Sequence, residues 1–232
     1  MKSFYERYWE YRKRIGHISQ KQMPTRLKII TSMIDVEKSP VNILDVGCGE
    51  GGLGLLLREK YGHNVNLFGI DISKIALEIA KPYYNQVKQV DIEKENLFEV
   101  FNLKFDYIIA AEVLEHLLKP EEVLEKLKLL LNPKGYIIVS FPNFAFWRNR
   151  LDLLFGTFPR SQHLYHPAEH IHYWTFHSFI ELLKRHDLRI ERIDGDFVIP
   201  FSRVIPKTIT NFLLKKFPNF FGFQIVLKTR MI

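Results

Sequence analysis

From Val41 to Gly54 the chain reads VNILDVGCGEGGLG, an apolar run that ends in an acid and gives way to closely spaced glycines. Val41, Ile43, Leu44 and Val46 are strand formers bounded by Pro40 and Gly47, so this run reads as a short buried strand. Asp45, Gly47, Gly49 and Gly51 then alternate with Val46, Cys48 and Glu50. Where side chains are missing, the backbone can turn tightly and approach a bound molecule closely. Residues 51–60 have the composition of a helix whose first amides point back into the turn. A strand, a glycine turn and a helix in this order describe one unit of an open α/β sheet with a ligand at its edge.

The remaining chain repeats the alternation. Strands are expected over 66–70, 87–90, 105–110, 136–141, 188–193 and 221–229, and helices over 52–60, 73–84, 121–131 and 175–186. Together they predict a doubly wound, mostly parallel, seven-stranded Rossmann-like sheet. Acids follow successive strand ends: Asp71 about twenty residues after Gly51, then Asp91, then Glu112 beyond Ala110. Asp71 stands where a carboxylate accepts hydrogen bonds from ribose hydroxyls. Its competing role is a helix N-cap, for which Ser73 is also suited. Asp91 competes with a plain solvated strand end, because Glu93 and Glu95 make its surroundings acidic.

Charge at the glycine turn separates the nucleotide cofactors. A pyrophosphate favours bare amides and disfavours carboxylates, whereas Asp45 and Glu50 both flank this turn, which suits a cationic ligand. With Asp45, Gly47, Gly49 and Gly51 as its first motif, the chain resembles the class I S-adenosylmethionine-dependent methyltransferases. That resemblance implies S-adenosylmethionine as cofactor, an antiparallel last strand inserted beside its predecessor, and a cap over the substrate. It also implies roles: Asp45, Gly47, Cys48, Gly49 and Gly51 at the methionine end, Asp71 at the ribose, Asp91 and Ile92 at the adenine, and Ile72 packed on the base. Ala110 and Glu112, at the end of the fourth strand, complete the expected cofactor site. A nicotinamide dehydrogenase is disfavoured by the acids at the turn.

With 232 residues and 47% hydrophobic content, the chain suits one α/β methyltransferase domain, 1–232, with an N-terminal helical cap over 1–40. Its net charge of +7 is spread among many acids, and no motif that reads RNA or DNA accompanies it. The N-terminus lacks the apolar core of a secretory signal, and no run is apolar for the length of a membrane crossing, so a cytoplasmic protein is expected. Cys48, the single cysteine, reads as a small filler in the turn, since no base lies near it in sequence.

Two stretches exceed what the fold needs. The first, 142–174, carries two of the three tryptophans and the histidines His163, His166, His170 and His172, and reads as an aromatic lid that meets the methyl acceptor. His170 and His172 are spaced for metal ligation on a strand, but no cysteine or carboxylate nearby completes a set, so no metal is expected. The second, 197–220, mixes Phe, Leu and Ile with Arg203, Lys207, Lys215 and Lys216. A packing or oligomer-forming connection, broken by Pro200, Pro206 and Pro218, is the preferred reading; peripheral contact with a membrane or an amphiphilic substrate is the other.

Two kinships are visible within the superfamily. SFPNFAFWRNRLDLLFG resembles the W-type branch of methionine biosynthesis through Ser140, Phe141, Pro142, Asn143, Phe144, Trp147, Arg148 and Arg150, together with Ile171 and His172. EVLEHLLKP, with Glu115 and His116, is similar to ubiquinone-pathway O-methyltransferases. The first kinship implies a regulatory partner of an acyltransferase, the second an enzyme acting on a small or amphiphilic acceptor. Methyl transfer asks for alignment, and for a base only where the acceptor holds its proton tightly. His116 is the first candidate base, because imidazole titrates near neutrality. His170, His172 and Tyr173 follow, and Tyr5, Tyr8 and Trp9 are placed to close an N-terminal helix over the cofactor.

Overall fold

The computed structural model describes residues 2–15, 23–37, 40–159, 170–199 and 206–232. In chain order its elements are α1 (Lys2–Ile15), α2 (Thr25–Met33), β1 (Val41–Val46), α3 (Gly52–Tyr61), β2 (Val65–Asp71), α4 (Lys74–Ala80), β3 (Gln86–Gln89), α5 (Leu97–Val100), β4 (Phe105–Ala111), α6 (Pro120–Leu130), β5 (Leu131–Pro142), α7 (Trp147–Leu154), α8 (Phe176–Arg185), β6 (Leu188–Phe197), α9 (Lys207–Lys216), α10 (Pro218–Phe221) and β7 (Gly222–Met231).

The seven strands form one sheet in the order β3-β2-β1-β4-β5-β7-β6. Strands β1 to β5 are parallel. β7 runs antiparallel to both β5 and β6 and lies between them, as the family resemblance implies. Parallel strands require helical crossovers, so helices cover both faces, and the strand order reverses where β1 meets β2 on one side and β4 on the other. At such a reversal the flanking crossovers leave a crevice at the carboxyl ends of the strands. Val46, the last residue of β1, lies level there with Ile70 and Ala110, each one residue short of its strand's end.

The alternation of side chains along each strand divides the interior into two cores. Leu44, Val46, Phe105, Ile108 and Ala110 face the core shared with α6 and α8. Val41, Ile43, Tyr107 and Ile109 face the core shared with α2, α3 and α4. On the first side Phe179 of α8 stacks on Phe141 of β5 with ring centroids 3.9 Å apart, both fully buried. α8 is held in place at its start by a capping box in which Thr175 and Ser178 satisfy each other's backbone amides.

Element bounds differ from the sequence reading in three informative places. The helix expected over 73–84 ends at Ala80 and continues as a 3-10 turn, Lys81–Tyr83, where Pro82 removes an amide donor. β3 stops at Gln89, so Asp91 lies past the strand rather than closing it. β5 begins at Leu131, through Asn132 and Pro133, with the Asn132 amide donating to the Asp106 carboxylate on neighbouring β4.

Candidate active site

The glycine turn is built by backbone geometry. Gly47, Gly49 and Gly51 have φ of +66°, +53° and +86°, the left-handed region in which a side chain is strained. A Cβ on Gly47 would fall 2.7 Å from Val113 Cγ2, and one on Gly51 would fall 2.9 Å from the Ala80 Cα. These glycines therefore admit close approach by neighbouring protein atoms as well as by a ligand. Cys48 between them is buried, with its amide bonded to the Ile70 carbonyl. Burial, followed by the carboxylates of Asp45 and Asp71, pushes its thiol well up, so it stays protonated, in keeping with the filler reading.

The two acids of the turn are placed differently from the simple picture of bare charges facing a ligand. Asp45 lies beneath the turn and accepts a 2.5 Å hydrogen bond from the Tyr84 hydroxyl, which in turn accepts one from the Gly54 amide. Burial pushes Asp45 up to about 7, against the opposing bond from Tyr84. Glu50 forms an ion pair of 2.9 Å with Arg12 of α1. The expectation that Asp45 and Glu50 supply free negative charge at the turn is thus corrected: one acid is poised to hold a proton and the other already has a cation.

Asp71 binds the turn from the side. Its carboxylate accepts the Gly49 amide at 3.0 Å and the Ser73 amide at 2.9 Å, tying the loop after β1 to the end of β2. Ser73, not Asp71, caps α4, since its hydroxyl accepts from the Ala76 amide. Ile72 is half-buried beside Asp71. Asp91 is half-buried and pairs with Lys94 at 3.1 Å, while Ile92 is buried in the core and its carbonyl accepts from Lys126.

α1 covers this edge of the sheet. The Glu6 carboxylate accepts from the Ser73 hydroxyl and from the Lys74 and Ile75 amides, so it sits on the amides that open α4. Atoms of the Trp9 ring lie 3.0 Å from where a Cβ on Gly49 would be, so the indole rests on the turn. Tyr5 is half-buried, and its hydroxyl is pushed up to about 12 by burial and then by Asp71 and Glu115. Tyr5 therefore stands between the expected cofactor acid and the next cluster.

That cluster follows β4. Ala110 is fully buried, and Glu112 adopts φ +58° with its amide bonded to the Ser140 carbonyl. Outside glycine this conformation is uncommon and concentrates at functional sites. Ser140 and Gln224 donate to the Glu112 carboxylate at 3.3 and 3.4 Å. Glu115 is completely buried, and neither of its carboxylate oxygens has a hydrogen-bond partner among the described residues. Burial and then Glu112 push its carboxyl well up, opposed by Arg26. The Glu115 carbonyl accepts the amides of Ile171 and His172, which brings His170 over the site. The rings of His116 and His170 are 4.9 Å apart, and Tyr5 is 6.5 Å from His116. Ligand atoms of Glu115, His116 and His170 lie within 4.8 Å of one another, a donor set of the kind that holds a divalent cation.

The sequence reading paired His170 with His172, whereas the structure pairs it with His116 and a carboxylate more than fifty residues away. His172 instead stacks on Trp174 at 5.0 Å, and Tyr173 packs on Phe144 at 5.1 Å. His163 and His166 lie outside the described residues, as do Pro200 and Arg203. Glu6 was not singled out from sequence, and Glu115 only as part of the Glu-His pair that carries the resemblance, without a place in the site. The positive φ at Glu112 and the burial of Glu115 are what mark this turn, and neither is written in EVLEH.

A seven-stranded sheet with an inserted antiparallel last strand, a turn of left-handed glycines after β1 and a half-buried acid ending β2 define a class I S-adenosylmethionine-dependent methyltransferase. The chain belongs to the family described as "Methyltransferase domain", whose profile matches residues 8–193. It is 26% identical over 187 residues to a ubiquinone biosynthesis O-methyltransferase of Coxiella burnetii, covering 75% of this chain and 77% of the relative. To the enzyme of the same name in Histophilus somni it is 31% identical over 171 residues, covering 66% and 69%. Magnesium protoporphyrin IX methyltransferase from Synechocystis, solved with S-adenosylhomocysteine bound, shares the fold at a TM-score of 0.63 and 17% identity over 99% of each chain. S-adenosylmethionine is the cofactor of the superfamily to which the chain belongs. A role as regulatory partner of an acyltransferase draws no support from these similarities.

Proposed function

We propose that this methyltransferase transfers its methyl group to a hydroxyl oxygen of a small or amphiphilic acceptor. Bound at the glycine turn, the cofactor supplies a methyl group made electrophilic by its sulfonium. The chain's own residues have three tasks. Asp71 holds the ribose while fixing the turn through Gly49, and Ile72 and Ile92 flank the base. Tyr5, Trp9 and the rest of α1 exclude water from above. His116, with His170 beside it, takes the proton that a hydroxyl must lose as its oxygen becomes the nucleophile, a task worth about 10²–10⁴ in rate.

The observation that carries this reading is the pairing of His116 with His170, beside the Tyr5 ring, over the Glu115 carboxyl, which has no hydrogen-bond partner among the described residues. A nitrogen acceptor with a free lone pair needs no such group; a hydroxyl does. The O-methyltransferase names of the two bacterial relatives favour the same atom. A divalent cation held by Glu115, His116 and His170 would supply Lewis acidity at the same place.

The test is incubation with labelled cofactor and an alkylated dihydroxyphenol, with the product located by mass spectrometry, before and after treatment with a chelator. A labelled methyl on oxygen is expected, with kcat for His116→Gln down by at least about 10² and cofactor affinity unchanged. Transfer to nitrogen or carbon, or transfer to oxygen at the unaltered rate in His116→Gln, would overturn the reading. Loss of rate on chelation, restored by added Mg²⁺, would assign the cluster a metal; an unaltered rate would leave proton transfer to the imidazoles alone.

A further inference from the structure

Of the nineteen large apolar side chains exposed among the described residues, five lie in 151–158 and six in 198–223. The two segments are distant in sequence and joined in space. The Trp147 indole donates to the Val198 carbonyl at 2.9 Å, the Arg150 guanidinium lies 5.4 Å from the Phe220 ring, and Phe146 meets Phe223 at 5.5 Å. Asn143, just past β5, fixes the junction by donating to the carbonyls of Asn219 and Gly222. One face results, on which Leu154 and Phe155 are 76% and 79% exposed and Phe212 is 57% exposed. Exposed apolar surface this concentrated calls for an occupant.

Charge identifies the occupant. Residues 207–221, which form α9 and α10, contain no Asp or Glu, against three Lys. Arg148, Arg150, Lys215 and Lys216 are exposed around the apolar side chains, and Asp152 is the one acid of α7. Leucine and phenylalanine beside Lys and Arg, with a tryptophan among them, are what an anionic bilayer surface binds: the rings and methyls enter the headgroup boundary and the cations meet phosphates. A second copy of this chain would bring the same cations against themselves.

We infer that the face formed by α7, α9 and α10 docks on an anionic lipid bilayer. The face also adjoins the site. Half-exposed Phe158 packs on Tyr173 at 5.4 Å, Tyr173 on His170 at 6.4 Å, and His170 on His116 at 4.9 Å, so an unbroken line of rings runs from the docking face to the candidate base. That line marks the side from which an amphiphilic acceptor would approach His116. Docking stands on the surface alone, whereas delivery rests on the proposed methyl transfer to a hydroxyl.

The full chain is sedimented with vesicles of phosphatidylglycerol and phosphatidylcholine, and with vesicles of phosphatidylcholine alone. Binding to the anionic vesicles at least tenfold above the neutral ones is expected, weakened by added salt. Leu154→Asp with Phe155→Asp should cut that binding at least tenfold while titration with S-adenosylhomocysteine gives the affinity of the unaltered protein; Lys215→Glu with Lys216→Glu should weaken it as well. Equal binding to both vesicle types, or undiminished binding by the Leu154/Phe155 variant, would overturn docking. So would sedimentation velocity showing a lipid-free dimer that the same variant abolishes, since the face would then belong to a second copy. Delivery is tested separately with an alkylated dihydroxyphenol: the double variant should lose activity toward the phenol embedded in vesicles and keep it toward a short-chain phenol in solution. Docking without that difference would remove delivery and leave docking intact.

Discussion

Replacing Asp71 separates the two duties that its geometry gives it. The carboxylate accepts the amides of Gly49 and Ser73, and in the class it also accepts the ribose. Asp71→Ala leaves two amide donors without their acceptor, at about 1–3 kcal/mol each. Part of that loss is offset, because burial pushes the Asp71 carboxyl up and the buried charge is itself costly. A net destabilisation of about 2 kcal/mol is expected, which for a chain of this length lowers Tm by about 4–8 °C. Cofactor binding loses a further about 1.5–3 kcal/mol, or roughly 10- to 150-fold in Kd, when the ribose acceptor disappears. Asp71→Asn keeps one acceptor and turns a donor toward the other amide, so its stability should fall between those of the parent and the alanine variant. Scanning calorimetry gives the first quantity and titration with S-adenosylhomocysteine at a temperature where both variants are folded gives the second. A lowered Tm with unchanged Kd would show that Asp71 only ties the turn, and would refute its placement at the ribose.

The other expectations concern protonation and backbone. An unfolded aspartate loses its proton near pH 4, whereas Asp45 in the folded protein loses it at about 7. The folded state therefore holds the extra proton between those values. Asp45's contribution is complete below about pH 4 and is lost as pH rises to about 7. Asp45→Asn, which keeps an acceptor for Tyr84 and cannot ionise, should gain about 2–4 kcal/mol on the parent between pH 4 and pH 8 in urea titrations, and parallel pH profiles would contradict the burial argument. Gly51→Ala should cost about 2–4 kcal/mol, since φ is +86° and the new Cβ meets backbone, whereas Gly156→Ala, at φ +73° with nothing within 4 Å, should cost only about 1–2 kcal/mol. Equal losses at the two positions would mean that the crowding around Gly51 relaxes freely.

The fold was legible because its signals are local and periodic. Each parallel strand is an apolar run bounded by a turn residue, and each crossover helix carries its own apolar stripe, as in Val123, Leu124, Leu127 and Leu130 of α6. The position of Asp71 beside the glycine turn was legible for a related reason, since the first βα unit fixes its distance from the glycines in sequence and in space. The partnership of His116 with His170 was not. It depends on the loop after β5 folding back over the loop after β4, joined by amides of 171 and 172 to the Glu115 carbonyl, and no spacing in sequence encodes a contact between two loops. Glu6 was hidden likewise, because it caps α4 from a helix outside the repeating pattern.

Charge is where sequence and structure disagree most usefully. Counting acids along the turn gives Asp45 and Glu50 as the cation-binding pair, yet Arg12 already neutralises Glu50, and Asp45 is buried under Tyr84. The other acids at this edge are Asp71, Glu112 and Glu115, spread across the ends of β2 and β4. Burial pushes all three carboxyls up, and for Glu115 the repulsion of Glu112 adds to it, so each gives up its proton more readily once a cation arrives. A sulfonium and an ammonium set into this crevice would lower those values together, and the site would release protons as it fills. Selectivity against a pyrophosphate cofactor then follows from Asp71, whose carboxylate already takes the Gly49 amide that such an anion would seek at the glycine turn.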